Sequence, residues 1–556
     1  MAHPAATATP PSLPPPPRQR AAVARLVHGA AIPLLLCALA VLGQIPALYN
    51  AAGSHADAAI VGLQALHILR GEWSWFIWGT NYQSALDALL IALGFAVTGP
   101  RPLTLMLVPL CGHLLLIGLT FATLRRHLAS LAATAATLPV VFTAIPINGV
   151  ILYPPRQWAI TAVIAAVWLL DGASRAQRPS IRLALGSGLA LVAPYLDLFT
   201  LQFLPALGFL VLACCRDDAP TRPTLRRRIG ACALGAAGGA LIFALSRLAV
   251  TPGVNTVEAN TLSFATIRRN AALLWETCLP MLLSMQIYIP GAQLYPDRWQ
   301  PPAFFGAIQL VGAFLLVAGL VCGGAALPLR RLPWSIRRLG AFGAIVAVTT
   351  IVGFLLSRSP IDLWAARYLA PIIWATPFAL APAARLLRGR RFLLALAPYA
   401  LAAIVGSWLS FGPYVQGLRP VHDARGVATE EAALGAALRE RGVRYGAAQY
   451  WLAYRLTFLW QETPIIVPND PGSDRYAPYR EGYDAAPVVA YIFTTDALRG
   501  SSEPCEGWLR GAGARYERVT TPGFVALLWW RDGNTEEPRG CVAAIPQQSA
   551  PSAKKE

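Results

Sequence analysis

The chain is built from long apolar runs separated by short arginine-rich or aromatic segments, and the length of each run limits what it can do. A helix that crosses a bilayer needs about 20 predominantly apolar residues. Runs at 32–49, 103–124, 128–147, 159–170, 229–250, 303–327, 339–356, 369–387 and 392–411 approach or reach that length and are read as spans. The stretch 183–215 has basic clusters at both ends, which one crossing cannot satisfy. Pro194-Tyr195-Leu196-Asp197 offers the break, because proline removes a backbone donor and disfavours helix at its predecessor. Two short spans with Asp197 near the outer face follow, giving eleven spans, plus or minus one.

Residues 53–99 break this pattern. They hold two apolar stretches, 57–70 and 84–97, each too short to span. Between them EWSWFIWGTNY gathers Trp73, Trp75, Trp78 and Tyr82, amphipathic rings that favour the headgroup level. In the first stretch Asp57 and Gln64 are seven apart and share a helical face near His67. The pattern predicts two helices lying in the membrane interface, a shelf that holds an acid at the depth of a lipid phosphate. A blander reading stands beside this one. Ser54-x-x-Asp57 and Ser84-x-x-Asp87 both fit a capping box, in which the acid only starts a helix. Asp57 follows a span directly, where an acid is costly and usually functional, whereas Asp87 fits the cap better.

From residue 421 the hydrophobicity falls and the period changes. TEEAALGAALRERG reads as a helix closed by Gly442, RYGAAQY as a strand, WLAYRLTFLWQ as a helix, and PIIVP, PVVAYIF and FVALLWW as strands. The prediction is a small α/β domain, with Tyr450, Tyr454 and Phe458 as a helix-core stripe rather than a sugar-stacking platform.

Composition settles the class. With 556 residues, 55% hydrophobic and 13% charged, and a mean hydropathy of +0.49, the chain is a polytopic, mainly helical membrane protein and not a soluble multidomain one. Its net charge of +18 sits in arginine clusters between spans, so it reports orientation under the positive-inside rule and not a nucleic-acid partner. Those clusters place the N-terminus in the cytoplasm and the C-terminal domain outside. The expected organisation is a disordered cytoplasmic tail at 1–25, a transmembrane domain at 26–411, an outer α/β domain at 412–535 and a second disordered tail at 536–556. Large outer loops are expected at 53–99 and 251–302. Cys505 and Cys541, on the outer side, either pair or stay separate. No C-x-x-C, Walker, Rossmann or Ser-His-Asp signature and no internal repeat is present.

One combination of features points to a family. A first span, an acid opening a short helix (HADAAIVGLQALHILRGE), an aromatic loop, a second short helix (SALDALLIALGFAVTGP) and many further spans resemble the glycosyltransferase-C superfamily. RYLAP at 367–371 resembles an Arg-Tyr motif found in its bacterial protein O-mannosyltransferase and aminoarabinose transferase branches. GVRYGAAQYWLAYRLTFLWQETPIIV resembles their extracytoplasmic segment. The chain departs from the family at Ala58, where a second acid is common, and at Asp87, where glutamate is common. The resemblance implies transfer of a sugar from a polyprenyl-phosphate donor to a hydroxyl of a lipid, glycan or protein at the outer face of a bacterial inner membrane.

That chemistry assigns roles. A hydroxyl is a poor nucleophile, and Asp57 is the candidate general base that takes its proton. The departing phosphate needs positive charge in a planar fork, for which Arg367 with Tyr368 is the first candidate and Arg156 and Arg298 are the next. Arg367 has a plainer alternative as an ion-pair partner of Asp362. His55, Asp87, Gln64 and Tyr82 are candidates for acceptor contact or support. These residues identify no cofactor and leave a divalent cation open. Two rivals remain: a flippase or transporter of polyprenyl-linked molecules, which predicts repeats and broken helices at mid-membrane, and an inactive scaffold.

Overall fold

The computed structural model describes residues 17–216, 221–250, 263–285, 287–288, 298–299, 303–387, 389–411, 424–495, 501–531 and 541. Parts of loop 251–302, including Glu258, Tyr295 and Asp297, and both tails at 1–16 and 542–556 lie outside them. Among the described residues, ten helices are long and apolar enough to cross a membrane, or eleven if one bent pair counts as a single span. The protein is a multi-pass, mainly helical membrane protein.

The bent pair corrects the sequence reading at 128–158. That region was expected to be one straight span followed by a loop. Instead, helix Ser130–Val141 turns by 91° into a second helix, Ile145–Leu152, which takes up the first half of the expected loop. Phe142 and Ala144 have extended backbone, and Pro146 sits at the start of the second helix, where its missing N–H costs nothing. A buried polar staple fixes the turn. The Thr143 hydroxyl and the Gln44 amide both donate to Asn148 Oδ1, at 2.6 and 2.9 Å. At the other predicted break, helix Pro179–Leu196 ends at Asp197 and the chain continues through a 3-10 turn, Leu198–Phe203, into helix Leu204–Arg216.

Two features tie the bundle together. Small residues let helix Pro179–Leu196 approach helix Arg222–Arg247 so closely that a Cβ on Gly235 would lie 1.9 Å from the Ala184 carbonyl oxygen. At the end of helix Gln157–Asp171, buried Asp171 accepts from Arg338 and His127 at 2.9 Å and from Arg126 at 3.3 Å. The arginine clusters between spans, to which Arg126 belongs with His127 beside it, were read only as reporting orientation. Arg126 and His127 are also halves of a buried ion network, in which losing one partner strands the others.

The C-terminal domain is a five-stranded sheet. Its strands are β1 (Tyr445–Ala448), β2 (Ile465–Pro468), β3 (Val488–Thr494), β4 (Tyr516–Thr521) and β5 (Phe524–Trp530), in the order β2-β1-β3-β5-β4. β1 pairs in parallel with β2 and β3, while β5 pairs antiparallel with β3 and β4. Strand alternation sorts the core. Ala490 and Ile492 pack on one face with Leu434 and Leu438 of helix Ala424–Glu440, and Val489, Tyr491 and Phe493 pack on the other. That second face is continuous with the shelf, because Ile60, Leu63, Leu66, Ile91 and Phe95 belong to the same hydrophobic cluster as Tyr454, Phe458 and Tyr479. Cys505 and Cys541 form a disulfide.

Candidate functional site

The two shelf helices are Ala56–Leu69 and Leu86–Thr98. The first was expected to rest its apolar face on the interface. It is instead buried along Ala56 and Ala58 to His67, nearly all round, because helix Tyr450–Leu459 of the C-terminal domain packs against it. The contact is close at Gly62, where a Cβ would meet the Phe458 ring at 2.7 Å.

The capping-box reading fails for both acids. The first shelf helix is capped by His55, whose ring accepts from the Ala58 N–H at 3.3 Å. The second has Ala85 at its N-cap and no side-chain cap. The Asp57 carboxylate is therefore not used on the helix end. Its Oδ1 accepts a hydrogen bond from the Tyr450 hydroxyl at 2.7 Å. Asp87 is buried, and its pKa is pushed up to about 7, first by burial and then by the Asp197 carboxylate, against the Arg156 backbone N–H.

Arg156 and Asp197 form the floor of the site. Arg156 Nε donates to Asp197 Oδ2 at 2.9 Å, and its guanidinium lies over the Phe199 ring at 4.3 Å. Gln83 Nε2 donates to the same carboxylate oxygen at 3.2 Å. Burial opposes the Arg156 charge, but Asp197 more than offsets it, with help from Tyr368 and Tyr82, so its pKa is raised. Arg156 was a candidate for phosphate binding; its charge is already committed to Asp197. Tyr82 lies among Arg475, Arg156, Asp197 and Asp57, all of which act on its half-buried phenol.

Arg367 stands exposed in the turn Leu363–Leu369. Its Nη2 donates to the Tyr368 hydroxyl at 3.4 Å, and its guanidinium lies 5.3 Å from that ring. The expected alternative partner is engaged elsewhere: Asp362 Oδ1 accepts from the Trp364 N–H at 3.0 Å. Asp57 and Arg367 both act electrostatically on His55, whose pKa is lowered by burial first, raised by Asp57 and lowered by Arg367 and Arg455. The His55 ring packs 4.7 Å from Tyr153 and 6.4 Å from Trp451.

The remaining candidates separate. Gln64 is buried and spends Nε2 on the Phe76 carbonyl at 2.9 Å, so it supports the aromatic loop from behind. The side chain of Arg298 lies outside the described residues. Ala58 offers no ligand atom beside Asp57, and among the described residues no three His, Cys, Asp or Glu side chains form a metal-holding group.

Two contacts of the C-terminal domain with the shelf were not anticipated from the sequence. Arg475 reaches the aromatic loop, with Nη1 donating to the Gly79 carbonyl at 2.9 Å and Nε to the Tyr450 hydroxyl at 3.2 Å. At the far end of the shelf helix, His67 sits between Glu72 and Glu462, each at 2.7 Å. Arg70 and Tyr479 also bind Glu462, at 2.5 and 2.6 Å. Burial alone would raise the Glu462 pKa, but His67, Tyr479 and Arg70 pull it down to about 2.

No protein-family model matches the chain, and comparison with curated proteins finds no match. Its structure is similar to the crystal structure of ArnT from Cupriavidus metallidurans in the apo state, with a TM-score of 0.54 and 13% identity over 95% of this chain and 100% of that one. It is also similar to ArnT bound to undecaprenyl phosphate, with a TM-score of 0.51 and 12% identity over 91% and 99% of the two chains. At this identity the likeness concerns architecture, and it extends over nearly the whole of both chains: the protein shares the fold of these two ArnT structures.

Proposed function

We propose that this protein is a membrane glycosyltransferase that moves a sugar from a polyprenyl-phosphate donor to a hydroxyl acceptor, with Asp57 as general base and Arg367 as the phosphate contact. The observation that carries the reading is the state of Asp57. Its carboxylate opens a buried helix without capping it, and it is held by a side chain from another domain. An acid maintained in this way fits a chemical role better than a structural one. Arg367, which among the described residues has no carboxylate partner, acts electrostatically on His55, as Asp57 does. The likeness to a protein crystallised with undecaprenyl phosphate supports a polyprenyl-phosphate donor.

In this mechanism the acceptor hydroxyl gives its proton to Asp57 as its oxygen bonds to the anomeric carbon. The bond from that carbon to the phosphate oxygen breaks, and the electron pair leaves with the lipid phosphate. Arg367 steadies the growing negative charge through its planar fork, and Tyr368 holds that fork from one side. The Arg156–Asp197 pair keeps the floor polar and rigid without contributing net charge. The reaction runs on the outer face of a bacterial inner membrane, a reading supported by the arginine clusters between spans under the positive-inside rule.

Donor binding tests the phosphate assignment. Purified protein in detergent is expected to bind a polyprenyl phosphate. Arg367→Ala should weaken binding at least tenfold, and Arg367→Lys should weaken it less, because lysine keeps the charge and loses the fork. Equal affinity in Arg367→Ala and the parent removes Arg367 from the site.

A further inference from the structure

The C-terminal domain does more than cover the shelf: two of its side chains form a continuous chain of hydrogen bonds to the candidate base. Arg475 Nη1 donates to the Gly79 carbonyl at 2.9 Å, Arg475 Nε to the Tyr450 hydroxyl at 3.2 Å, and the Tyr450 hydroxyl to Asp57 Oδ1 at 2.7 Å. The Arg475 guanidinium also lies 5.6 Å from the centre of the Tyr450 ring. Its backbone N–H is fixed by the Tyr454 hydroxyl at 2.5 Å, so the loop carrying Arg475 is tied to the helix carrying Tyr450. On the other side, Gly79 has a φ of +67°, and a Cβ there would lie 2.4 Å from Arg475 Cδ. The aromatic loop and the arginine fit only because position 79 has no side chain.

We infer that Tyr450 and Arg475 are positioning residues of the transfer reaction, and that the C-terminal domain completes the site. The inference rests on the reading of Asp57 as the base. Tyr450 occupies Oδ1 and sets the rotation of the carboxylate, which leaves Oδ2 to take the acceptor's proton. Arg475 occupies a lone pair of the phenol oxygen, so the phenol hydrogen points at Asp57, and the positive charge beside it makes the phenol a stronger donor. Burial first, and the Asp57 charge next, hold the phenol protonated far above the ordinary tyrosine range. Because Arg475 also grips Gly79, undocking the domain would release the base and the aromatic loop together.

A positioning role through a hydrogen bond to the base leaves a mark that packing does not: its loss slows transfer and leaves donor binding alone. The test uses membranes carrying the full-length protein, with transfer followed from the host's own radiolabelled polyprenyl-linked sugar pool and polyprenyl-phosphate binding measured beside it. Tyr450→Phe should be produced and unfold thermally like the parent. It should transfer about tenfold more slowly while binding the donor lipid as the parent does. Arg475→Met, acting through Tyr450, should lose rate in the same way by less, and Arg475→Lys should restore part of the loss. If Asp57→Asn is inactive while Tyr450→Phe keeps the parent's transfer rate, the positioning role is wrong and the base assignment stands. Parent-level turnover by Asp57→Asn overturns the base assignment and this inference with it. Should Tyr450→Phe fail to fold, the Arg475 pair gives the same reading.

Discussion

Asp87→Asn changes the protonation of a buried carboxyl while nearly keeping its shape. Asp87 is 5% exposed, and its pKa rises from 3.8 to about 7 on folding. Because the folded value is the higher one, the sign runs against the usual carboxylate. As pH rises from 3.8, the unfolded chain loses this proton while the folded chain keeps it, so stability falls until the folded acid also ionises near 7. A shift of about three units at about 1.36 kcal/mol each gives a penalty on the order of 4 kcal/mol above neutrality. Asparagine does not ionise, and its amide oxygen can still accept from the Arg156 N–H. Thermal unfolding of the parent and the variant in one detergent, from pH 5 to 8.5, isolates the effect, since every other titrating group is common to both. The melting-temperature difference, variant minus parent, should grow with pH, and the growth should stop a little above pH 7. A difference that stays constant with pH would refute the reasoning, because it would mean that Asp87 ionises in the folded protein as easily as in water.

Gly235→Ala should destabilise the bundle by about 1–3 kcal/mol, since a Cβ there meets the Ala184 carbonyl at 1.9 Å while Gly230, with nothing within 4 Å, serves as the neutral control; equal melting temperatures for the two alanine variants would contradict the close packing. The His67 clamp predicts a pH window. Burial opposes the His67 charge, but Glu462 and Glu72 outweigh it and raise the pKa above the ordinary 6.5, so its contribution is complete below 6.5 and is lost as pH rises through the raised value. Glu462, lowered from 4.5 to about 2, contributes fully above 4.5 and is lost as pH falls through its lowered value. Docking of the C-terminal domain should therefore be firmest between pH 4.5 and 6.5, and limited proteolysis of His67→Gln should lose the alkaline weakening that the parent shows.

The spans were legible because bilayer thickness imposes a length on them that survives in any sequence. The 91° turn after Val141 was not, since the Gln44–Asn148–Thr143 contacts that hold it join residues up to 104 positions apart. The shelf helices were legible as short apolar stretches. Their burial was not, because the same composition suits a lipid surface and the underside of a domain, and only the packing of Phe458 on Gly62 distinguishes them. Strand β4 and helix Ala477–Ala485 were missed because YERVTT is an edge strand of mixed polarity and APYREGYDA is short and mostly polar. Tyr450 was seen only as one rung of a core stripe. The i, i+4 spacing describes the ring and is silent about the hydroxyl, which reaches across 393 positions to Asp57. Arg475 carries no local signal, and its importance comes from where the loop after β2 delivers it.

The central claim is that Asp57 takes a proton during sugar transfer from a polyprenyl-phosphate donor. The most direct measurement is single-turnover transfer from the host's polyprenyl-linked sugar pool by purified parent and Asp57→Asn, with polyprenyl-phosphate binding measured on the same samples. The account predicts a loss of about 100- to 10,000-fold in transfer rate with donor-lipid binding within a few-fold of the parent. Transfer by Asp57→Asn at the parent's rate would contradict it.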